Sequence, residues 1–432
     1  MRVRGATLGA VALCLWAQGT RNPDELLADA RDKLVATARR LPKYTCVQTI
    51  ERRYFNRMEK ASLPPSCDQI SADLHRGRYR LNLYTSDRVR LDVAVSGGDE
   101  MVSWVGAGKF DSRRIDELVG EGPTGTGAFG SYLVDIFSNA GTHFQFLGAA
   151  AAPGNLFEYR FRVGAEASNY RVRGGKHGEW RITAYDGTFR LDAESGELRW
   201  LRIRTDELPP ETEMCEAIST LQYERVRIGD GDFLLPRESE LHIVRRDTQE
   251  TTNVTKFSSC REYHAESTVR FGDEPEAGGS GAKPGDEQRG SLPEGVSLTL
   301  AFTAPIDTDT AAAGDWITAK VTSAVREPKS KRVLVPAGAL ARGRITRMRH
   351  NLGWQPHFLI SILFETLEIK GEARPFTARL DRSEEPPMVR TTVARPPAGD
   401  ASTLVFVTPK DRYVVPAGYS AKWLTVAPEG PQ

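Results

Sequence analysis

Seven histidines and five cysteines are the side chains best suited to metal or nucleophilic chemistry in this 432-residue chain. The histidines are His75, His143, His177, His242, His264, His350 and His357, and none forms an HExxH or HxH pair. No CxxC pair, no GxSxG elbow, no GxxxxGK[ST] loop and no GxGxxG after a strand occurs either. Gly125-Thr-Gly-Ala-Phe-Gly130 imitates a phosphate loop but reads as the lead-in to a helix. Asp307-Thr-Asp-Thr310 lacks the later glycine and glutamate of a calcium loop, so Asp307 and Asp309 read as a solvated turn. Asp135 and Asp186 could act as an acid–base pair only if the fold brings them together. His264, between Tyr263 and Glu266, reads as a core or rim histidine. Arg342, Arg344, Arg347 and Arg349, with Lys329, Lys331 and Arg332, make a basic patch without the interleaved aromatics that single-stranded nucleic acid needs. That patch reads as a solvated strand face, with an anionic envelope partner as the alternative. The residues therefore point to no catalytic site, no cofactor and no metal, and the chain is expected not to be an enzyme.

The cysteines depend on the compartment. Arg2 and Arg4, the apolar run Ala6 to Trp16 and the small residues of Ala17-Gln18-Gly19 read as a signal peptide over residues 1–19, cut before Thr20. The apolar run is too short to span a bilayer, so no transmembrane helix is expected after cleavage. Cys14 as a lipid attachment point stays open, although Leu13 occupies the position where such a signal wants a small residue. Cys46, Cys67, Cys215 and Cys260 then remain, an even number in an oxidising compartment. Three pairings are possible. Closure of short loops selects Cys46–Cys67 and Cys215–Cys260. The chain has 58 basic and 57 acidic residues, and losing Arg2 and Arg4 leaves 56 against 57. So even a balance gives no global attraction to nucleic acid.

The elements that must position these residues are mostly strands. Asn22, Pro23 and Glu25 form a helix start, and Leu26, Leu27, Ala30, Leu34 and Ala38 share one face of a helix reaching about Arg40. Alternating runs follow at 44–55, 78–83, 89–95, 101–105, 143–147, 157–163, 170–173, 180–185 and 198–204. Tyr185-Asp186-Gly187-Thr188 carries a hairpin signal. Strands at 221–228, 238–246 and 255–271 close the unit, and the spacing is that of an antiparallel meander. Phe129, Tyr132, Leu133, Ile136 and Phe137 form a helical stripe that covers the open sheet face. It is either core packing or an apolar ligand face.

Residues 272–291 hold six glycines and two prolines and nothing apolar larger than alanine. Such a stretch cannot bury enough surface to offset its ordering entropy and reads as a flexible linker. It separates a cysteine-bearing domain, 20–271, from a cysteine-free one, 292–432. In the second, Leu292-Pro-Glu-Gly295, Val335-Pro-Ala-Gly338 and Val415-Pro-Ala-Gly418 repeat an apolar-Pro-x-Gly turn, with Pro expected second and Gly fourth in a type I turn. Each precedes an alternating run, which suggests a small closed or nearly closed β-barrel. Phe358, Ile360, Ile362 and Phe364 share one face of a strand with Leu359 and Leu363 on the other, so that strand should be central.

Two resemblances follow from these patterns. The leading helix, the curved meander, the covering helix and the Tyr223…Val226…Phe233-Leu-Leu-Pro236 turn resemble the half-barrel of LolA/LolB-like periplasmic lipoprotein carriers over residues 22–271. That resemblance implies a concave face for acyl chains or another apolar ligand; no ligand residue carries over. In the second half, Leu292-Pro-Glu-Gly-Val-Ser-Leu-Thr-Leu300, Ala304-Pro-Ile-Asp-Thr308, Ala313-Gly-Asp315, Ile317-Thr-Ala-Lys-Val-Thr322, Val333-Leu-Val-Pro-Ala-Gly-Ala339 and Gly343-Arg-Ile345 are similar to the β-barrel domain of TrbI-like proteins. That implies a periplasmic barrel packing against other proteins of a secretion or conjugation core complex.

The expected fold class is mainly β: an α+β half-barrel meander with covering helices, then an all-β small barrel, in two domains. The expected function is that of an exported, periplasmic or outer-membrane-associated, non-enzymatic envelope protein. It would bind a lipid, another apolar ligand or an envelope protein through the first domain and dock through the second. A structural part of an envelope assembly is one alternative, and a hydrolase whose site assembles only in three dimensions is the other. No nucleic-acid partner is expected.

Overall fold

The computed structural model describes residues 21–40, 43–57, 66–77, 80–96, 99–107, 110, 115–119, 122–151, 154–174, 178–262, 292–327, 329–381 and 402–427. The signal-peptide and linker expectations, and His177 and His264, lie outside the described residues. The fold is mainly β, in two halves.

The first half contains α1 (Pro23–Arg40), β1 (Tyr44–Arg57), α2 (Cys67–His75), β2 (Leu81–Ser96), β3 (Asp99–Trp104), α3 (Ile115–Val119) and α4 (Ser131–Phe137). It continues with β4 (Thr142–Ala149), β5 (Leu156–Val163), the ribbon β6 (Arg171–Gly174) and β7 (Glu179–Ile182), β8 (Ala184–Asp192), β9 (Leu198–Asp206), β10 (Met214–Ile228), β11 (Gly231–Arg245) and β12 (Glu250–Glu262). The second half contains β13 (Ser297–Phe302), β14 (Ile306–Asp307), β15 (Trp316–Val321), β16 (Val325–Arg326), β17 (Val333–Val335), β18 (Leu340–Asn351) and β19 (His357–Ile369). It ends with β20 (Glu372–Pro375), β21 (Ala378–Leu380), β22 (Thr403–Val407), β23 (Val414–Val415) and β24 (Ser420–Thr425).

The large sheet of the first half runs β4-β5-β8-β9-β10-β11-β12-β1-β2-β3, antiparallel throughout. It is not a simple meander. The first strand pairs with the last, Tyr44 facing Glu262, and this insertion of β1 between β12 and β2 decides the sulfur chemistry. Cys46 bonds Cys260, and Cys67 bonds Cys215, so the short-loop pairing Cys46–Cys67 and Cys215–Cys260 is wrong. Sheet register brings Cys46 and Cys260 side by side on adjacent strands. Helix α2, capped by the Ser66 hydroxyl accepting from Gln69 N, begins at Cys67 and lies against β10, where Cys215 sits.

Three local signals resolve differently from their sequence reading. The runs at 78–83 and 89–95 are not separate strands; β2 runs unbroken from Leu81 to Ser96. Ser86-Asp87-Arg88 between them pairs across the ladder, with Asp87 opposite Arg52. Asp186-Gly187 is not a hairpin but the interior of β8. A Cβ at Gly187 would come within 1.9 Å of the Arg202 carbonyl and 2.8 Å of the Phe161 ring, so the glycine serves close approach rather than a turn. The Pro-x-Gly turns are shifted by one position. Ala339 N bonds Pro336 O and Tyr419 N bonds Pro416 O, placing Gly338 (φ +82°) and Gly418 (φ +84°) third, as in a type II turn.

In the second half, β24 pairs with β13, β13 with β15, β15 with β18, β18 with β19, and β21 with β24. Strand β19 pairs with β20, and β21, next in the chain, pairs with β24, so the two ends of this run of pairings belong to consecutive strands. Strand β19 has neighbours on both edges, β18 on one and β20 and β22 on the other. Its Phe358, Ile360, Ile362 and Phe364 enter a single core with Leu298, Leu300, Phe302 and the fully buried Trp423.

Candidate functional site

The face of the first sheet on which α1 and α4 lie is covered by the chain itself. Asn22 caps α1 by accepting from Asp24 N at 2.9 Å, and the apolar stripe turns Leu26, Ala30, Leu34 and Ala38 onto the sheet, all buried. Phe129, Leu133, Ile136 and Phe137 are buried as well, while Tyr132 is half-buried and stacks on Tyr170. Phe137 meets Phe144 and Phe189, and Phe189 meets Tyr159 and Phe161. The stripe is thus spent on packing, in two neighbouring clusters. A groove between α1 and the end of α4 is lined by Arg31, Val35, Arg39 and Phe137.

The glycine-rich stretch before α4 does cradle a carboxyl group, the chain's own. Both carboxylate oxygens of Glu100 accept from Gly127 N at 3.1 Å, and one accepts from Phe129 N at 3.2 Å. Burial raises the Glu100 carboxyl above its ordinary range, against these two amides.

The most elaborate polar site lies at the seam between the halves. Strand β2 pairs with β3 over Leu91–Ser96, and the same edge pairs with β18 over Thr85–Asp87. One face of this junction carries a row, Asn253 of β12, Arg52 of β1, Asp87 of β2 and Arg349 of β18, each opposite the next. Arg52 and Asp87 are buried and joined by two hydrogen bonds, and Arg349 reaches Asp87 at 3.7 Å. Burial opposes the charge of Arg52, but Asp87 outweighs it and raises the guanidinium above its ordinary value. In the next row the single hydroxyl proton of Thr85 is shared between the carbonyl of His350 at 3.0 Å and Asn351 Oδ1 at 2.9 Å.

Further along, Arg90 bonds Asp315 at 2.5 Å and Arg88 donates to the Asp309 carbonyl. Arg90 N and Ala313 N exchange bonds with Ala313 O and Arg88 O. Arg344 crosses back, donating to Val105 O at 2.8 Å and to Gly314 O while lying 4.0 Å from the Trp316 ring. Gly314 (φ +109°) has no room for a side chain: a Cβ would sit 2.0 Å from Arg90 O and 3.2 Å from Trp104. The basic patch is therefore not a uniformly solvated face. Arg344 and Arg349 serve the seam, and Trp316 supplies an aromatic that the linear sequence hid on a neighbouring strand.

The other sequence candidates do not converge. Asp186 pairs with Arg204, whereas burial raises Asp135 against a hydrogen bond from Asn169. Asp307 accepts from Arg412 at 2.9 Å and from Asp309 N at 3.1 Å, but the segment is not simply a solvated turn: Asp307 ends β14, Thr308 is buried, and the carbonyls of Asp309 and Thr310 accept from Arg88 and Arg90 at the seam. His242 meets Glu250 at 2.9 Å, His350 stacks on Phe358, and His357 sits between Asn351 and Gln355. Among the described residues no group of three or more His, Cys, Asp or Glu side chains could hold a metal ion. No described helix is long and apolar enough to cross a membrane.

No protein-family model matches the chain, and no curated protein does. Two solved structures are similar to part of it. A domain from Vibrio parahaemolyticus named for outer membrane lipoprotein sorting is 12% identical, with 54% of this chain and 90% of that chain covered, at a TM-score of 0.25. A LolA superfamily protein from Nitrosomonas europaea is 11% identical, with 56% of this chain and 94% of that chain covered, at a TM-score of 0.23.

Proposed function

We propose that this chain is an exported, non-enzymatic binding protein of the cell envelope that works as one body made of two β modules. The observation that carries the reading is the seam. A tethered pair of modules needs no shared strand pairing, yet β18 extends the sheet of the first half and buries the Arg52–Asp87 pair beside it. Buried polar rows of this kind fix one relative placement and are costly to leave half-made. Fixed geometry suits a protein that presents two surfaces at once, one on each module. Two disulfides support an oxidising compartment such as the periplasm.

The packed interior favours an envelope protein over an apolar ligand as the partner. An acyl chain would have to displace Phe137, Phe144 and Phe189 from their mutual contacts. The test is affinity purification of the full chain from its own cells, followed by native mass spectrometry. A stoichiometric envelope protein is the expected result. A bound lipid without a protein partner, or turnover in a broad hydrolase screen, would overturn the reading.

A further inference from the structure

The ribbon of β6 and β7 presents an exposed face of mixed apolar and basic residues, on which Arg173 Nε donates to Gly178 O at 2.6 Å. Its register sets Arg173 opposite Trp180 and Arg171 opposite Ile182. Residues directly opposite in an antiparallel pair point to the same side. The alternate positions point inward. Val172 is buried, and a Cβ at Gly174 would meet Thr212 O and the Met214 methyl, so this side rests on the start of β10. The base of the ribbon is held by Ser168 donating to Thr183 O at 2.7 Å and Thr183 N donating to Tyr170 O at 3.1 Å.

The outer side therefore shows Arg171, Arg173, Trp180 and Ile182, all exposed, with Trp180 at 46% and Ile182 at 49%. No acidic side chain shares that face; Glu179 pairs with Arg181 on the other. Arg171 has no ion-pair partner among the described residues. An indole and a branched aliphatic chain stand opposite two guanidiniums on this face.

We propose that this face docks onto an anionic lipid surface. Trp seats at a bilayer interface with its ring among the headgroups, Ile adds apolar area, and the guanidiniums meet lipid phosphates while their stems stay at the boundary. Two arginines with no carboxylate among them complement anionic headgroups, and the exposed indole and aliphatic chain beside them suit the headgroup boundary more than a purely polar acidic peptide. The proposal does not depend on which protein partner the seam serves.

The test is flotation of the full chain with vesicles of phosphatidylcholine alone and of phosphatidylcholine with phosphatidylglycerol. Binding is expected only to the mixed vesicles, weakening as salt rises. Arg171→Glu/Arg173→Glu and, separately, Trp180→Ser/Ile182→Ser should each weaken partition by at least about tenfold, without moving the melting midpoint. Trp180→Phe supplies a second readout that keeps the face apolar: the quenching of tryptophan emission by brominated lipid seen in the parent should fall. Equal binding to both vesicles, no binding of the parent protein, binding of acidic polypeptide instead of vesicles, or full binding by both folded double variants would overturn the proposal.

Discussion

Asp87 accepts two hydrogen bonds from one guanidinium, Arg52 Nε to Oδ1 at 2.6 Å and Nη2 to Oδ2 at 3.0 Å, inside a sheet that buries both side chains. Removing one partner of such a pair leaves an uncompensated buried charge, which costs about 3–5 kcal/mol. Asp87→Ala should therefore lower the unfolding free energy by that amount in urea titrations. Arg349, a partly exposed cation 3.7 Å from the same carboxylate, contributes less. Arg349→Ala should cost no more than about 1 kcal/mol. Equal costs for the two variants would refute this ranking.

The seam should respond to a single methyl group. At Gly314 an added Cβ clashes with Arg90 O and Trp104, both in the other half, and the φ of +109° is itself unfavourable for alanine. Gly314→Ala should split one calorimetric transition into two by separating the modules. Gly371 is the control, since its φ is +83° but a Cβ there meets nothing within 4 Å. Gly371→Ala should cost about 1–2 kcal/mol and leave a single transition. Two transitions in the parent protein would show that the seam does not couple the halves.

Much of this fold was legible because its signals are local. The start of α1 at Asn22 and Pro23, its buried stripe and the alternation of Phe358, Ile360, Ile362 and Phe364 follow from spacing alone. What was hidden depends on register between distant strands. Asp87 falls between the alternating runs 78–83 and 89–95, where spacing assigns it no role; only pairing with β1 reveals Arg52 opposite. Cys46 seemed nearest to Cys67 along the chain, yet β1 lies against β12. Arg344 looked solvated because Trp316 belongs to another strand. The stripe from Phe129 to Phe137 was read correctly as apolar, but its partners, Tyr44, Phe189 and Phe257 among them, come from across the sheet.

The disulfide pairing is open to direct chemistry. Non-reduced proteolytic peptides should join Cys46 to Cys260 and Cys67 to Cys215; any other pairing refutes the register of β1 against β12. Cys46 and Cys260 lie 214 residues apart in sequence, so by the chain-entropy account this link contributes at most about 5 kcal/mol. Cys46→Ser/Cys260→Ser should lower the denaturant midpoint with a steeper slope, because the unfolded chain loses its cross-link and exposes more surface.

Glu100 should give the stability a pH dependence of unusual sign for a carboxylate. Burial raises its carboxyl in the folded protein, and the amides of Gly127 and Phe129 only partly offset this. Below the ordinary glutamate range the group is protonated in both states and its burial costs least. As pH rises through that range the unfolded chain ionises first, so stability drains away until the raised folded value is passed. Glu100→Gln keeps a neutral side chain whose oxygen can still accept from both amides. The variant should therefore match the parent at acid pH and gain on it as pH rises, levelling once the buried carboxyl has ionised. Urea midpoints of both proteins across this pH range provide the measurement, and the difference between them cancels every other titrating group. A difference that stays flat would mean the amide cradle balances burial, and one that favours the parent at neutral pH would mean it outweighs burial and holds Glu100 as a carboxylate; either result refutes the prediction.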